Sequence, residues 1–254
     1  MYKNIFDSHA HYDDDRFDED RDELLSSLPS LGVSGIVSCA VNVQTSLFNT
    51  SISEKYPYIY SAVGFHPLNL DDLTQNYVED IRQLAAHPKV VAIGEIGLDY
   101  HYEKESRPLQ LEVLRNQIIL ANDLSLPVII HDREAHEDTL KLLKELKPKG
   151  VVHCFSGSCE MAKEIIKLGM YIGIGGTVTF KNAVKVKEVA KMLPSDKLLL
   201  ETDCPYLAPV PFRGQRNDSS LISYVAEEIA NIKGLSAQDV LDITDKNARE
   251  LFRI

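Results

Sequence analysis

Two histidines, His9 and His11, stand one residue apart just after the apolar pair Ile5-Phe6. In an extended strand alternate side chains share a face, so this spacing aims both imidazoles at one point. Neutral imidazole is the commonest metal-ligating side chain. Four later apolar segments also end in a histidine or a carboxylate: Glu95, His131, His153 and Asp203. Nitrogen with carboxylate oxygen suits divalent ions such as Zn²⁺ or Mn²⁺. Six candidate donors exceed what one tetrahedral ion takes, and a carboxylate in the middle of the set could serve two ions. The chemistry this implies is metal-dependent hydrolysis at a binuclear centre.

Such a set needs a scaffold that gathers residues far apart in sequence. Short apolar runs of strand character recur at 4–8, 35–41, 59–65, 90–97, 127–132, 150–155, 171–176 and 198–203. Most are continuous rather than alternating, as strands buried on both faces should be. Stretches of helical period lie between them, at 109–124, 134–146, 161–168 and 185–193. In the first of these Leu109, Val113, Leu120 and Leu124 form one stripe. Strand then helix, repeated about eight times over 254 residues without a linker, predicts one (β/α)₈ TIM barrel spanning 1–254. Two or three helices follow the last strand, and Thr244 or Asp245 is the expected cap of the final one. Active sites of such barrels lie at the C-terminal ends of the strands, where His9, His11, His66, Glu95, Asp99, His131, His153 and Asp203 all fall.

Each residue also has a plainer reading. A lone strand histidine such as His66 is often a hydrogen-bonded core group. Asp203 alone could cap a helix, His87 and His136 have no evident role, and Asp13, Asp14 and Asp15 are expected to face solvent. Taken together, so many charged strand tips would be costly to bury without partners, and cations supply them.

The 44% hydrophobic content fits a soluble protein with a sizeable core. No apolar run approaches the ~20 residues a membrane helix needs, and the residues before His9 are too few and too polar for a secretory signal. The expectation is therefore a cytoplasmic protein with no membrane partner. Cys39, Cys154, Cys159 and Cys204 show no zinc-binding spacing and are expected to be buried, inert thiols, with Cys154 and Cys204 turned away from the donors. A net charge of −11 argues against broad nucleic-acid binding by a basic surface, although divalent cations would reverse the sign of an acidic site locally.

The chain resembles the TatD family of metal-dependent deoxyribonucleases, within the amidohydrolase-like barrels. The likeness rests on Phe6-Asp7-Ser8-His9-Ala10-His11, Gly64-Phe65-His66-Pro67, Gly94-Glu95-Ile96-Gly97-Leu98-Asp99-Tyr100 and Pro127-Val128-Ile129-Ile130-His131. It continues in Val152-His153-Cys154-Phe155-Ser156-Gly157, Glu201-Thr202-Asp203-Cys204-Pro205, Arg213-Gly214-Gln215-Arg216-Asn217 and Asn247-Ala248-Arg249. The resemblance implies that His9, His11 and Asp203 hold one divalent ion (Mg²⁺, Mn²⁺ or Zn²⁺), that His131 and His153 hold a second, and that Glu95 bridges them. Related barrels often bridge with a carbamylated lysine, but no lysine stands at the tip of the fourth strand. After Asn217 the family commonly has Glu-Pro where this chain has Asp218-Ser219.

The implied substrate is DNA, cut from an end or at damaged sites. In that reading Asp203 orients the attacking water and accepts its proton. His66 and Arg133 contact the phosphate, and Arg213 and Arg216 steer the backbone, with a surface ion pair the alternative for these two arginines. Tyr100, Tyr102 and Phe212 could stack on bases or simply pack. The rival enzyme reading is hydrolysis of an ester or amide, including an aminoacyl ester on tRNA; a non-catalytic metal-binding protein is the rival from another class. No obligate protein partner is evident, and a monomer is expected.

Overall fold

The computed structural model describes residues 2–102 and 106–254. Its chain alternates strand and helix: β1 (Ile5–Ala10), α1 (Arg21–Ser27), β2 (Val33–Cys39), α2 (Val43–Lys55), β3 (Ile59–Val63), α3 (Tyr77–Ala85), β4 (Val90–Asp99) and α4 (Arg107–Leu124). There follow β5 (Val128–Arg133), α5 (His136–Leu146), β6 (Gly150–Val152), α6 (Cys159–Lys167), β7 (Tyr171–Ile174), α7 (Val184–Met192), β8 (Leu198–Leu200), α8 (Ile222–Lys233) and α9 (Ala237–Phe252). The eight strands form one parallel sheet in sequential order. The strands are largely buried on both faces because one face meets the outer helices and the other the barrel interior. Among the described residues no helix is long and apolar enough to cross a membrane.

The sheet curls until its first and last strands meet. Ala10 pairs with Cys204 in an isolated parallel bridge, the Asp203 N–H donates to the His9 carbonyl at 2.9 Å, and the His11 N–H donates to the Cys204 carbonyl at 2.8 Å. Inside this seam the buried Asp7 carboxylate accepts hydrogen bonds from the Thr202 N–H and hydroxyl and from the Ser219 hydroxyl. An inner cluster, including Phe6, Val37, Ala62, Ile129, Val151 and Leu199, meets Leu251 and Phe252 of α9, where the Phe6 and Phe252 rings stack at 6.3 Å. The end of the last helix thus closes the barrel at the pole opposite the strand tips.

Three expectations are corrected. The cap of α9 is Ser236, eight residues before Thr244, and it forms a reciprocal capping box with Asp239. Thr244 is buried inside the helix, and Asn247 donates to the carbonyls of Ser195 and Leu198 at the start of β8. Leu109 is 42% exposed, so the buried stripe of α4 begins at Gln110 and Val113. The runs at 150–155 and 198–203 are strand only as far as Val152 and Leu200. His153 and Asp203 stand just beyond, where left-handed backbone at Cys154 (φ 43°) and Asp203 (φ 58°) turns the chain.

Candidate metal centre

The strand ends bring His9, His11, Glu95, His131, His153 and Asp203 into one cluster. The His9 and His11 Nε2 atoms lie 3.0 Å apart. Asp203 Oδ1 is 3.6 and 3.4 Å from them, and Glu95 Oε2 is 3.4 and 3.3 Å away. An ion held by nitrogen and oxygen at about 2.0–2.1 Å in a tetrahedron needs donors about 3.3–3.4 Å apart. The spacing found here fits that requirement.

The other oxygen of Glu95 faces a second group. Glu95 Oε1 is 2.7 Å from His153 Nε2 and 2.9 Å from His131 Nδ1, and these two nitrogens are 3.4 Å apart. Three protein donors with a free side are the usual arrangement of a catalytic ion. A single carboxylate therefore presents one oxygen to each group.

The outer contacts decide which ring nitrogen each histidine offers. The His11 Nδ1–H donates to the Cys39 carbonyl at 3.0 Å, which leaves Nε2 as the lone pair toward the centre. His131 Nε2 is 3.3 Å from Asp99 Oδ2, so its N–H donates there and Nδ1 faces Glu95. His66 is the reverse case. Its Nδ1 accepts from the Leu68 N–H at 3.1 Å, so Nε2 carries the proton and points toward Glu95 Oε1, 3.6 Å away. Although His66 stands within coordinating distance of Glu95 and His131, this tautomer makes it a hydrogen-bond donor to the crevice.

Electrostatics follow from burial among unlike charges. Burial pushes the Glu95 carboxyl up, but the imidazoles of His153, His66 and His9 outweigh it and hold the group well below the usual range. Asp203 is likewise held down against burial, first by the hydrogen bond from His11. Burial lowers His9 to about 4 and His66 to about 3. At His131 burial is overcome by Asp99 and Glu95, which lift it to about 9. Protons on imidazole thus neutralise the carboxylates, a task that cations could take over.

Glu201, quoted above only as part of a motif, belongs to this outer shell. Its Oε1 accepts from the Cys154 N–H and lies 3.8 Å from His153 Nδ1, and burial raises its carboxyl to about 8. The spacing of Glu201 and Asp203, two apart after an apolar run, was the available signal. Gly173 leaves room for Glu201: a Cβ there would sit 2.3 Å from Glu201 Oε2. Gly173→Ala is accordingly expected to destabilise the fold by about 1–3 kcal/mol through overpacking. A urea denaturation midpoint equal to that of the parent chain would show that the carboxylate moves aside freely.

The crevice above the cluster holds about 340 Å³ and is bordered by His66, Asp13, Asp14 and Tyr206 as well as by His11, Glu95, His131, His153 and Asp203. Asp13 and Asp14 were expected to face solvent; instead they border this crevice, and Asp14 is held by Arg16 and by the Tyr206 hydroxyl. Arg133 does not line it, and its guanidinium lies over the exposed Tyr102 ring at 4.7 Å. Arg216 is tied down as the alternative reading had it, with both terminal nitrogens on Asp20 at 2.7 and 2.6 Å. Arg213 is exposed, over the Phe180 ring. Tyr100 donates to Asp138 and Phe212 packs edge-on against Tyr224, which leaves Tyr102 as the exposed ring of the three. All four cysteines are free thiols; Cys204 is fully buried.

The family model described as TatD related DNase matches residues 6–253. The chain belongs to this family. A relative in Bacillus subtilis (strain 168), named an uncharacterized metal-dependent hydrolase, YabD, is 46% identical over 253 residues, covering 98% of this chain and 99% of the relative. The 3'-5' ssDNA/RNA exonuclease TatD of Erwinia tasmaniensis is 32% identical over 259 residues, 98% of this chain and 100% of that one. Among solved structures, the TatD homologue YJJV of Escherichia coli k12 superposes with a TM-score of 0.94 at 32% identity, with both chains covered in full. Metal-dependent hydrolysis is the activity that TatD-family membership brings with it, and the donor groups described above suit it.

Proposed function

We propose that this chain is a phosphodiesterase that hydrolyses single-stranded DNA or RNA at a centre for two divalent cations. The observation that carries the reading is Glu95, whose two oxygens face two separate donor groups. His9, His11 and Asp203 would hold one ion and His131 and His153 the other, with Glu95 shared. Cations in those places supply Lewis acidity and neutralise phosphate charge. Asp203 is the more open of the two central carboxylates, 19% exposed against 4% for Glu95, and it borders the crevice. It is placed to orient a water and accept its proton. His66, neutral and with its Nε2–H toward the crevice, donates to a phosphate oxygen. The 3'-5' ssDNA/RNA exonuclease name of the Erwinia tasmaniensis relative supports this choice of substrate.

The test is digestion of 5'-labelled single-stranded DNA and RNA by the metal-loaded protein, with EDTA as control and added salt as a variable. Cleavage that needs the cation and weakens steeply with salt is expected. Intact oligonucleotides from protein with verified metal content would overturn the reading.

Cation binding should also release protons. His131 titrates at about 9 without metal, so it is protonated at pH 7 and must lose the Nδ1 proton to coordinate. Affinity is therefore expected to rise with pH from 6 to 8, by up to about tenfold per unit for each proton released. Calorimetry in buffers of different ionisation enthalpy measures this, and a flat profile with no proton release would exclude His131 as a ligand.

A further inference from the structure

We propose that the groove beside the crevice, between the segments that follow β6, β7 and β8, is a second nucleotide subsite that holds the strand next to the bond being cut. This rests on the phosphodiesterase reading above. The groove holds about 650 Å³ and is lined by Phe180, Val184, Lys181, Lys185 and Arg213. Val184 is 62% exposed, an apolar side chain left open at the groove.

The groove and the crevice are linked through a third depression that borders both. Tyr206 lines both the crevice and this depression, and Phe180 and Arg213 line both the depression and the groove. A ligand chain leaving the metal centre past Tyr206 therefore runs over Phe180. There the Arg213 guanidinium lies 4.4 Å from the ring centroid.

Charge argues for the same occupant. The chain carries −11 overall, and the nearby arginines are already neutralised, Arg16 by Asp14 and Arg216 by Asp20. Lys181, Lys185 and Arg213 are exposed, and among the described residues none has a carboxylate within salt-bridge distance. Aromatic and apolar surface flanked by unneutralised cations is the chemistry that holds single-stranded nucleic acid: bases stack on rings and guanidinium planes while phosphates meet lysine. A duplex keeps its base faces stacked and offers nothing to Phe180, so the subsite selects an unpaired strand.

The experiment compares binding of fully phosphorothioate (dT)₈ and (dT)₂ to the metal-loaded chain by fluorescence anisotropy, alongside cutting of unmodified (dT)₈. The parent chain is expected to bind (dT)₈ at least tenfold tighter than (dT)₂. The double variant Lys181→Ser/Lys185→Ser should lose most of that gap, and its salt slope should be shallower by about 1.4, at about 0.7 per phosphate contact. Phe180→Leu should weaken (dT)₈ at least about fivefold, as loss of one stacked base would. Thermal midpoints check folding, and the two exposed lysines decide the matter if Phe180→Leu is unstable. Variants that keep the full gap and slope, in a protein that cuts (dT)₈, would overturn the subsite and leave the phosphodiesterase reading standing. A parent chain that leaves both (dT)₈ and the RNA octamer (U)₈, digested alongside, intact would overturn both.

Discussion

Asp203→Asn is expected to lower the rate of oligonucleotide cleavage by about 10²–10⁴-fold, the usual contribution of a positioned proton acceptor. Asparagine keeps the shape and an oxygen that can face His9 and His11, but it cannot take a proton. The fold should tolerate the change. Residue 203 has φ 58°, a conformation asparagine adopts as readily as aspartate, and its N–H bond to the His9 carbonyl involves only backbone. Single-turnover cleavage by the metal-loaded variant, beside its thermal midpoint, separates chemistry from folding. A rate within tenfold of the parent chain at unchanged metal content would remove Asp203 from the proton-accepting role.

Glu95→Gln should act through the ions. The parent carboxylate offers an oxygen to each donor group, whereas an amide must turn its NH₂ toward one of them. One ion is then expected to be lost outright and the other weakened by more than about a hundredfold, beyond the usual effect of disturbing an outer-shell partner. Elemental analysis after desalting should give at most one ion per chain, against two for the parent. The metal-free variant should still fold, because the imidazoles that Glu95 keeps protonated can shed their protons once it is gone. Two retained ions would show that the centre does not depend on a shared carboxylate.

The scaffold and the polar residues clustered at its strand tips were legible in the sequence for one physical reason. Parallel strands buried on both faces make continuous apolar runs, and a charged residue closing such a run stands out. His9, His131 and Asp203 are visible in that way. What the sequence hid follows other rules. The packed face of α2 carries Ser46, Asn49 and Ser53 beside Ile52, so no apolar stripe marks that helix. Instead Ser38 donates to Asn49, a polar core contact invisible to periodicity. Thr244 looked like a cap because it is a hydroxyl near a chain end, yet it lies inside a helix that is capped at its start by Ser236 and whose Asn247 meets the carbonyls of Ser195 and Leu198. Arg216 and Arg213 sit three residues apart in one loop, and only the fold shows that Asp20 claims the first and leaves the second open. Asp99 and Glu201 approach His131 and His153 from other strands, a relation that no spacing along the chain encodes.

The seam between β1 and β8 ties the chemistry to synthesis of the chain. His9 and His11 leave the ribosome before Asp203 and Thr202, which anchor the other edge of the seam and come more than 190 residues later. A nascent chain that has not reached them has its histidine pair but no facing carboxylate from the last strand and no Asp7 clasp. On the proposed roles of His9, His11 and Asp203, capacity to hydrolyse is expected only once the barrel closes, so fragments released early from translation should be inactive.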